Sequence, residues 1–342
     1  MIPTRKRRIE DMEAVETIKK KRVRPKIKLE DAPPVKSIKE LIELGKSIKF
    51  YRNIDTIMLW RMLPYLQELN DMIGMDSLKE TIFYQIIYYL QGLHTKNRNE
   101  EYLHTAIYGP PGCGKTTIAK IIGKIYQSMN ILSPNGNFKV AYRDDFVAGY
   151  LGQTATKTKK LLNSCIGGVL FIDEIYALGP RDKDRDSFAK EAIDTITGFL
   201  SEHKNDFCCI VAGYEDEVRN CFFGMNKGLE RRFPWIHRIP EYKSKELYQI
   251  FMKMIKESNW DIAFDEKTLT TIIENNKEFF KNAGGDIETF LTKCKMMHSK
   301  RVFCLGKEHK FILTKEDILQ AIDFLKKNNK EKEDDMRKLY YI

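Results

Sequence analysis

Two short runs in this 342-residue chain could do chemistry. The first, Gly109-Pro110-Pro111-Gly112-Cys113-Gly114-Lys115-Thr116-Thr117, fits Gly-x-x-x-x-Gly-Lys-[Ser/Thr] at every fixed position. Glycines at 109, 112 and 114 let the backbone curl, so that successive N–H groups can face phosphate oxygens. A helix starting behind them adds partial positive charge. Lys115 then serves the β- and γ-phosphates of ATP as a point charge, and the Thr116 hydroxyl is a ligand for Mg²⁺. The second run, Val169-Leu170-Phe171-Ile172-Asp173-Glu174, is apolar and ends in two carboxylates. Asp173 suits the metal, through water, while Glu174 suits the orientation and deprotonation of an attacking water. Taken singly, a ligand-free glycine turn or a solvated strand end would explain either run. Together they predict ATP binding and hydrolysis.

Both runs need a sheet to hold them. Residues 103–108 read as a strand entering the glycine loop, and 115–129 as the helix leaving it. Further strands are expected at 138–142, 169–172, 207–212 and 235–239, with helices at 154–165 and 187–203 between them. Strands alternating with helices predict βαβ units and an α/β fold with a largely parallel, buried sheet. Upstream, apolar spacing predicts a helical prelude over 37–70 and an amphipathic helix over 77–93. Beyond Pro240 the pattern turns helical, at 243–258, 265–281, 285–302 and 314–327. The chain therefore divides into a basic tail (1–36), the prelude (37–70), an α/β nucleotide-binding domain (71–240), a helical domain (241–327) and a charged C-terminal tail (328–342).

Charge is concentrated at one end. Residues 1–30 hold eleven Lys or Arg against five Asp or Glu, so +6 of the whole chain's +10 lies there and the other 312 residues carry +4. Clusters 5–8 and 19–22 suit a nuclear import signal or a nucleic-acid arm, or a solvated tail with no specific partner. The near-neutral body argues against a broad groove that tracks nucleic-acid phosphates. Seven cysteines, without Cys-x-x-Cys pairs and mostly within apolar runs, read as free thiols in a reducing compartment. No apolar run approaches the ~20 residues of a membrane span. An intracellular protein, cytoplasmic or nuclear and with no membrane partner, is expected.

These segments, with Arg143-Asp-Asp-Phe, Tyr150-Leu-Gly-Gln-Thr, Val211-Ala-Gly-Tyr214 and Arg232-Phe, resemble the AAA+ ATPases over residues 71–327. The likeness is to the clade of red-type Rubisco activase and stage V sporulation protein K. It implies a three-layer α/β/α sheet followed by a small all-α lid. It implies that Ile73 and Gly74 pack against adenine and that Tyr214 stands where the family usually has a sensor asparagine. Arg232, with Arg231 the lesser candidate, would be a finger reaching the neighbouring subunit's γ-phosphate. That requires a homo-oligomeric ring, presumed hexameric. Tyr150, Leu151 and Gly152 match a pore loop that grips an unidentified protein client, although a tyrosine buried at a helix end would also fit. Glu288 occupies the position where red-type activases carry a sensor arginine, so that contact is absent. A protein-remodelling motor leads; a nucleic-acid motor or loader using the basic tail is the alternative, followed by a nucleotide-gated scaffold.

Overall fold

The computed structural model describes residues 30–47, 49–94, 101–150, 152–179, 186–226, 228–303, 306 and 309–340, with side chains described through 329. Most of the basic tail, and Leu151 of the expected pore loop, lie outside these residues. Three helices lead in: α1 (Ile38–Lys46), α2 (Thr56–Asn70) and α3 (Asp76–Leu90). The α/β unit follows with β1 (Thr105–Tyr108), α4 (Lys115–Ser128), β2 (Phe138–Ala141), α5 (Arg143–Phe146) and α6 (Thr154–Asn163). It continues through β3 (Val169–Ile172), α7 (Ser187–Glu202), β4 (Cys208–Gly213) and β5 (Trp235–Arg238).

The five strands are parallel, in the order β2-β3-β4-β1-β5. The three central strands are buried at every position, which is why their sequences read as unbroken apolar runs. Alternate residues serve opposite faces. Val169, Phe171, Cys208 and Ile210 join the layer that includes α1 to α4. Leu170, Ile172, Cys209 and Val211 join the layer of α6 and α7. Each large apolar side chain so buried contributes ~1.5–3 kcal/mol. Because the strands are parallel, the chain leaves all of them from one edge. Tyr108 pairs with Gly213 and Ile172 with Val211, so the loops after β1, β3 and β4 emerge side by side. That edge is where α/β sheets bind ligands.

The helical unit comprises α8 (Ser244–Glu257), α9 (Glu266–Glu274), α10 (Ala283–Val302) and α11 (Lys315–Tyr340). A short parallel ladder, β6 (Asp261–Ile262) with β7 (Ile312–Leu313), was not anticipated: two-residue strands carry no periodicity. The helix expected over 265–281 ends at Glu274, where Asn276 donates its side-chain amide to Ile272 O at 2.7 Å and competes with the helical backbone. The final helix does not stop at 327 but continues to Tyr340, through a run with no Gly or Pro to break it. Residues 30–36, expected within the tail, are partly docked: Ala32 N donates to Asn53 Oδ1 at 2.7 Å, and Ala32 and Val35 pack against the core. Among the described residues no helix is long and apolar enough to cross a membrane.

Candidate nucleotide site

The glycine loop begins where β1 ends. Gly109 N donates to Gly213 O at 3.1 Å and Ile239 N to Tyr108 O at 2.8 Å, fixing the loop's root to β4 and β5. A Cβ on Gly109 would lie 2.9 Å from Cys113 Sγ and 3.0 Å from Ile239 Cβ, so only glycine fits. Gly112 has φ +70°, and a Cβ there would meet Asn282 O and Gly285 N at 2.8 Å. Gly114, at φ +92°, is the N-cap of α4 and offers no side-chain cap. The first amides of α4 are therefore free to meet an anion. Pro110 and Pro111 form the loop's shoulder, and Cys113 is buried beneath it, its thiol pKa raised by that burial. Lys115 Nζ donates to Gly109 O at 3.2 Å and Pro110 O at 2.9 Å, which keeps the ammonium inside the curl. Thr116 is half-buried and Thr117 exposed in the helix's first turn.

Asp173 follows β3 and is half-buried, with Oδ1 accepting from Glu174 N at 3.1 Å. Burial raises its carboxyl pKa, opposed by the nearby charge of Lys115 and by that N–H. Glu174 is exposed and has left-handed backbone, φ 49° and ψ 44°. For a residue with a Cβ this costs ~1–2 kcal/mol. Backbone strain of this kind clusters at active sites and ligand clamps. Tyr214 follows β4 with its ring 6.4 Å from that of Tyr176, whose phenol pKa burial and then the Glu174 charge push up to about 12.

A cleft of about 480 Å³ extends from the loop towards the helical unit. Gly112, Cys113, Gly114 and Thr117 line one end; Met72, Ile73, Tyr242, Ile250 and Met254 give an apolar slot that suits a purine. Gly74 follows Ile73 directly, at φ +64°. Tyr242, Ile250 and Met254 belong to no motif and were missed; only folding brings them to the loop. Tyr242 Oη donates to Cys113 O at 3.3 Å.

Arg232 lies apart from this cleft. Its Nε and Nη2 donate to Ser201 Oγ at 2.9 and 2.7 Å, and Nη1 to Gly228 O. Arg231 beside it is exposed. Ser201, at the end of α7, gave no signal in the sequence. Tyr150 is 75% exposed, which removes the reading of a tyrosine buried at a helix end. Gly149 and Gly152 on either side have nothing within 4 Å of a notional Cβ. Glu288 is exposed on α10.

Donor set and cavity both fit a nucleoside triphosphate: curled amides, one lysine, a Thr hydroxyl, a carboxylate and an apolar slot. Among the described residues there is no group of three or more His, Cys, Asp or Glu to hold a metal ion. A divalent ion would bind together with the phosphates, as Mg²⁺ commonly does. Fold and loop together define a P-loop nucleotide-binding protein. Residues 105–224 match the family "ATPase family associated with various cellular activities (AAA)". The chain is 38% identical over 317 residues to putative cfxQ-like protein R730 of Acanthamoeba polyphaga mimivirus, covering 90% of this chain and 76% of that protein. It is 33% identical over 250 residues to a chloroplastic ribulose bisphosphate carboxylase/oxygenase activase of Cyanidioschyzon merolae, covering 71% and 80%. The AAA domain of FIGL-1, solved with ADP, superposes with a TM-score of 0.53 at 17% identity, covering 73% of this chain and 82% of that one. The chain belongs to the AAA ATPase family and is an ATPase of the activase-related clade.

Proposed function

We propose that this chain is the subunit of an ATP-driven ring that remodels a protein client through a central pore. One observation carries the reading: Tyr150 is 75% exposed on a loop whose neighbouring glycines stand in open space. An aromatic ring so placed can grip an extended polypeptide whatever its sequence. Similarity to an activase whose name declares a protein as its target supports a protein client.

In this reading Ile73 and Gly74 hold the adenine, and amides of residues 109–117 hold the phosphates with Lys115. Mg²⁺, held by Thr116 and Asp173, would neutralise phosphate charge. Glu174 orients a water and takes its proton. Tyr214, at the end of β4, faces the same edge. Arg232 serves the neighbouring subunit's phosphates, with Ser201 and Gly228 holding it until then. A residue that completes the next site demands a closed ring, for which a hexamer is our choice. Residues 71–240 act as the motor, and 241–327 as a lid whose movement carries Tyr150 along the pore. The residues that would support nucleic-acid binding or nuclear import lie within 1–29, and no observation favours that reading.

Glu174→Gln loaded with ATP should capture the client for identification. Tyr150→Ala should then lose remodelling of that client while ATP turnover stays within about twofold of wild type. Remodelling retained at normal turnover would overturn the pore.

A further inference from the structure

The first turn of α3 carries a cation where a helix tolerates one least, since its N-terminal amides are already partly positive. Lys79 escapes this by turning away from its own helix. Its Nζ donates to Met72 O at 2.6 Å and to Asn70 O at 3.1 Å. Asn70 is the last residue of α2, where carbonyls lack helical partners and a cation is favoured. A charge that one helix disfavours therefore caps another.

The segment held in this way is the wall of the nucleotide cleft: Asp71, Met72 and Ile73 all line it. Immediately after, Gly74 (φ 64°) and Met75 (φ 61°) are both left-handed, a conformation that disfavours a residue with a Cβ such as Met75 and needs outside contacts to hold it. The ammonium is half-buried, and Asp76, Asp71 and Glu246 supply the facing negative charge. Glu246, in the first turn of α8, lies so close to Gly74 that a Cβ there would sit 2.7 Å from Oε1. Lys79 thus fixes the wall from behind and reaches neither the phosphates' loop nor the cleft itself.

We infer that Lys79 is a positioning residue for the purine base: it holds Met72 and Ile73 in the place where adenine packs. It sets affinity for the base and leaves affinity for the phosphates alone. The inference rests on the ATP reading of the cleft. The test compares two probes, Mg·ATP and Mg·tripolyphosphate, titrated calorimetrically into wild type, Lys79→Met and Lys79→Gln. Loss of a charged hydrogen bond predicts about tenfold weaker ATP binding for Lys79→Met and about threefold for Lys79→Gln, which keeps an uncharged N–H donor group. Tripolyphosphate affinity should stay within about twofold in both. Should the methionine variant fail to fold, the glutamine variant alone decides. Equal losses for both probes, or none for either, would overturn the role of Lys79. Wild type that binds tripolyphosphate but gains nothing from the adenosine would overturn the reading of the cleft itself.

Discussion

Glycine does opposite things on two loops at the same edge of the sheet. In the phosphate loop, Gly109 and Gly112 have no room for another atom, the nearest heavy atoms lying 2.8–3.0 Å from a notional Cβ. On the Tyr150 loop, Gly149 and Gly152 have open space out to 4 Å. On the first loop Gly112 lets backbone approach backbone, and Gly109 lets the side chains of Cys113 and Ile239 close over the chain. On the second, glycine leaves an exposed ring unconstrained by its neighbours. The difference teaches that a tightly folded loop and an open one can use one residue type for contrary reasons, one packed for precision and the other with space around it.

Substitution is the direct way to break this comparison. Gly112→Ala combines a left-handed backbone with overlap onto Asn282 O and Gly285 N, and should cost ~2–4 kcal/mol of nucleotide affinity or stability. Gly149→Ala, with neither clash nor positive φ, should change both by less than ~0.5 kcal/mol. Calorimetric ATP titration with thermal melts checks the pair; equal effects would dissolve the contrast.

Two carboxylates sharpen the same division between fixed frame and working site. Burial alone would raise the Asp317 carboxyl, but Arg301, Thr314 and His298 overcome it and hold its pKa at about 2. The pairing is close, with Arg301 Nε 2.8 Å from Oδ1 and His298 Nδ1 3.1 Å from Oδ2. A depressed folded pKa stabilises above the unfolded value near 4 and loses that stability as pH falls towards 2. The contribution is ~2 kcal/mol, seen as a drop in denaturation midpoint between pH 5 and pH 2 that Asp317→Asn should flatten. Asp173 moves the other way, raised by burial, so its ionisation costs the fold stability, the pattern common at functional sites.

What the sequence disclosed follows the same line. The loop at 109–117 and the pair Asp173-Glu174 are contiguous, so each motif is complete in the sequence itself. Strand β3 fell where its apolar run lies, because four successive buried positions need four successive apolar residues. Contacts that only folding creates were invisible. Arg232 meets Ser201 across 31 positions, and Tyr242 reaches Cys113 across 129. Lys79 gives no signal in the sequence, because the carbonyls it meets lie seven and nine positions before it, beyond its own helix. Boundaries slipped where local competition decided, as at Asn276, or where nothing opposed extension, as in α11.

The central claim is that ATP sits between the phosphate loop and Asp173 and is cleaved with help from Glu174. Phosphate release at saturating Mg·ATP, measured with nucleotide retention on the same samples of wild type and Glu174→Gln, tests it most directly. We predict equal retention and release slowed by about 10²–10⁴-fold in the variant, the range for loss of a general base. Release at the wild-type rate from Glu174→Gln would contradict the account.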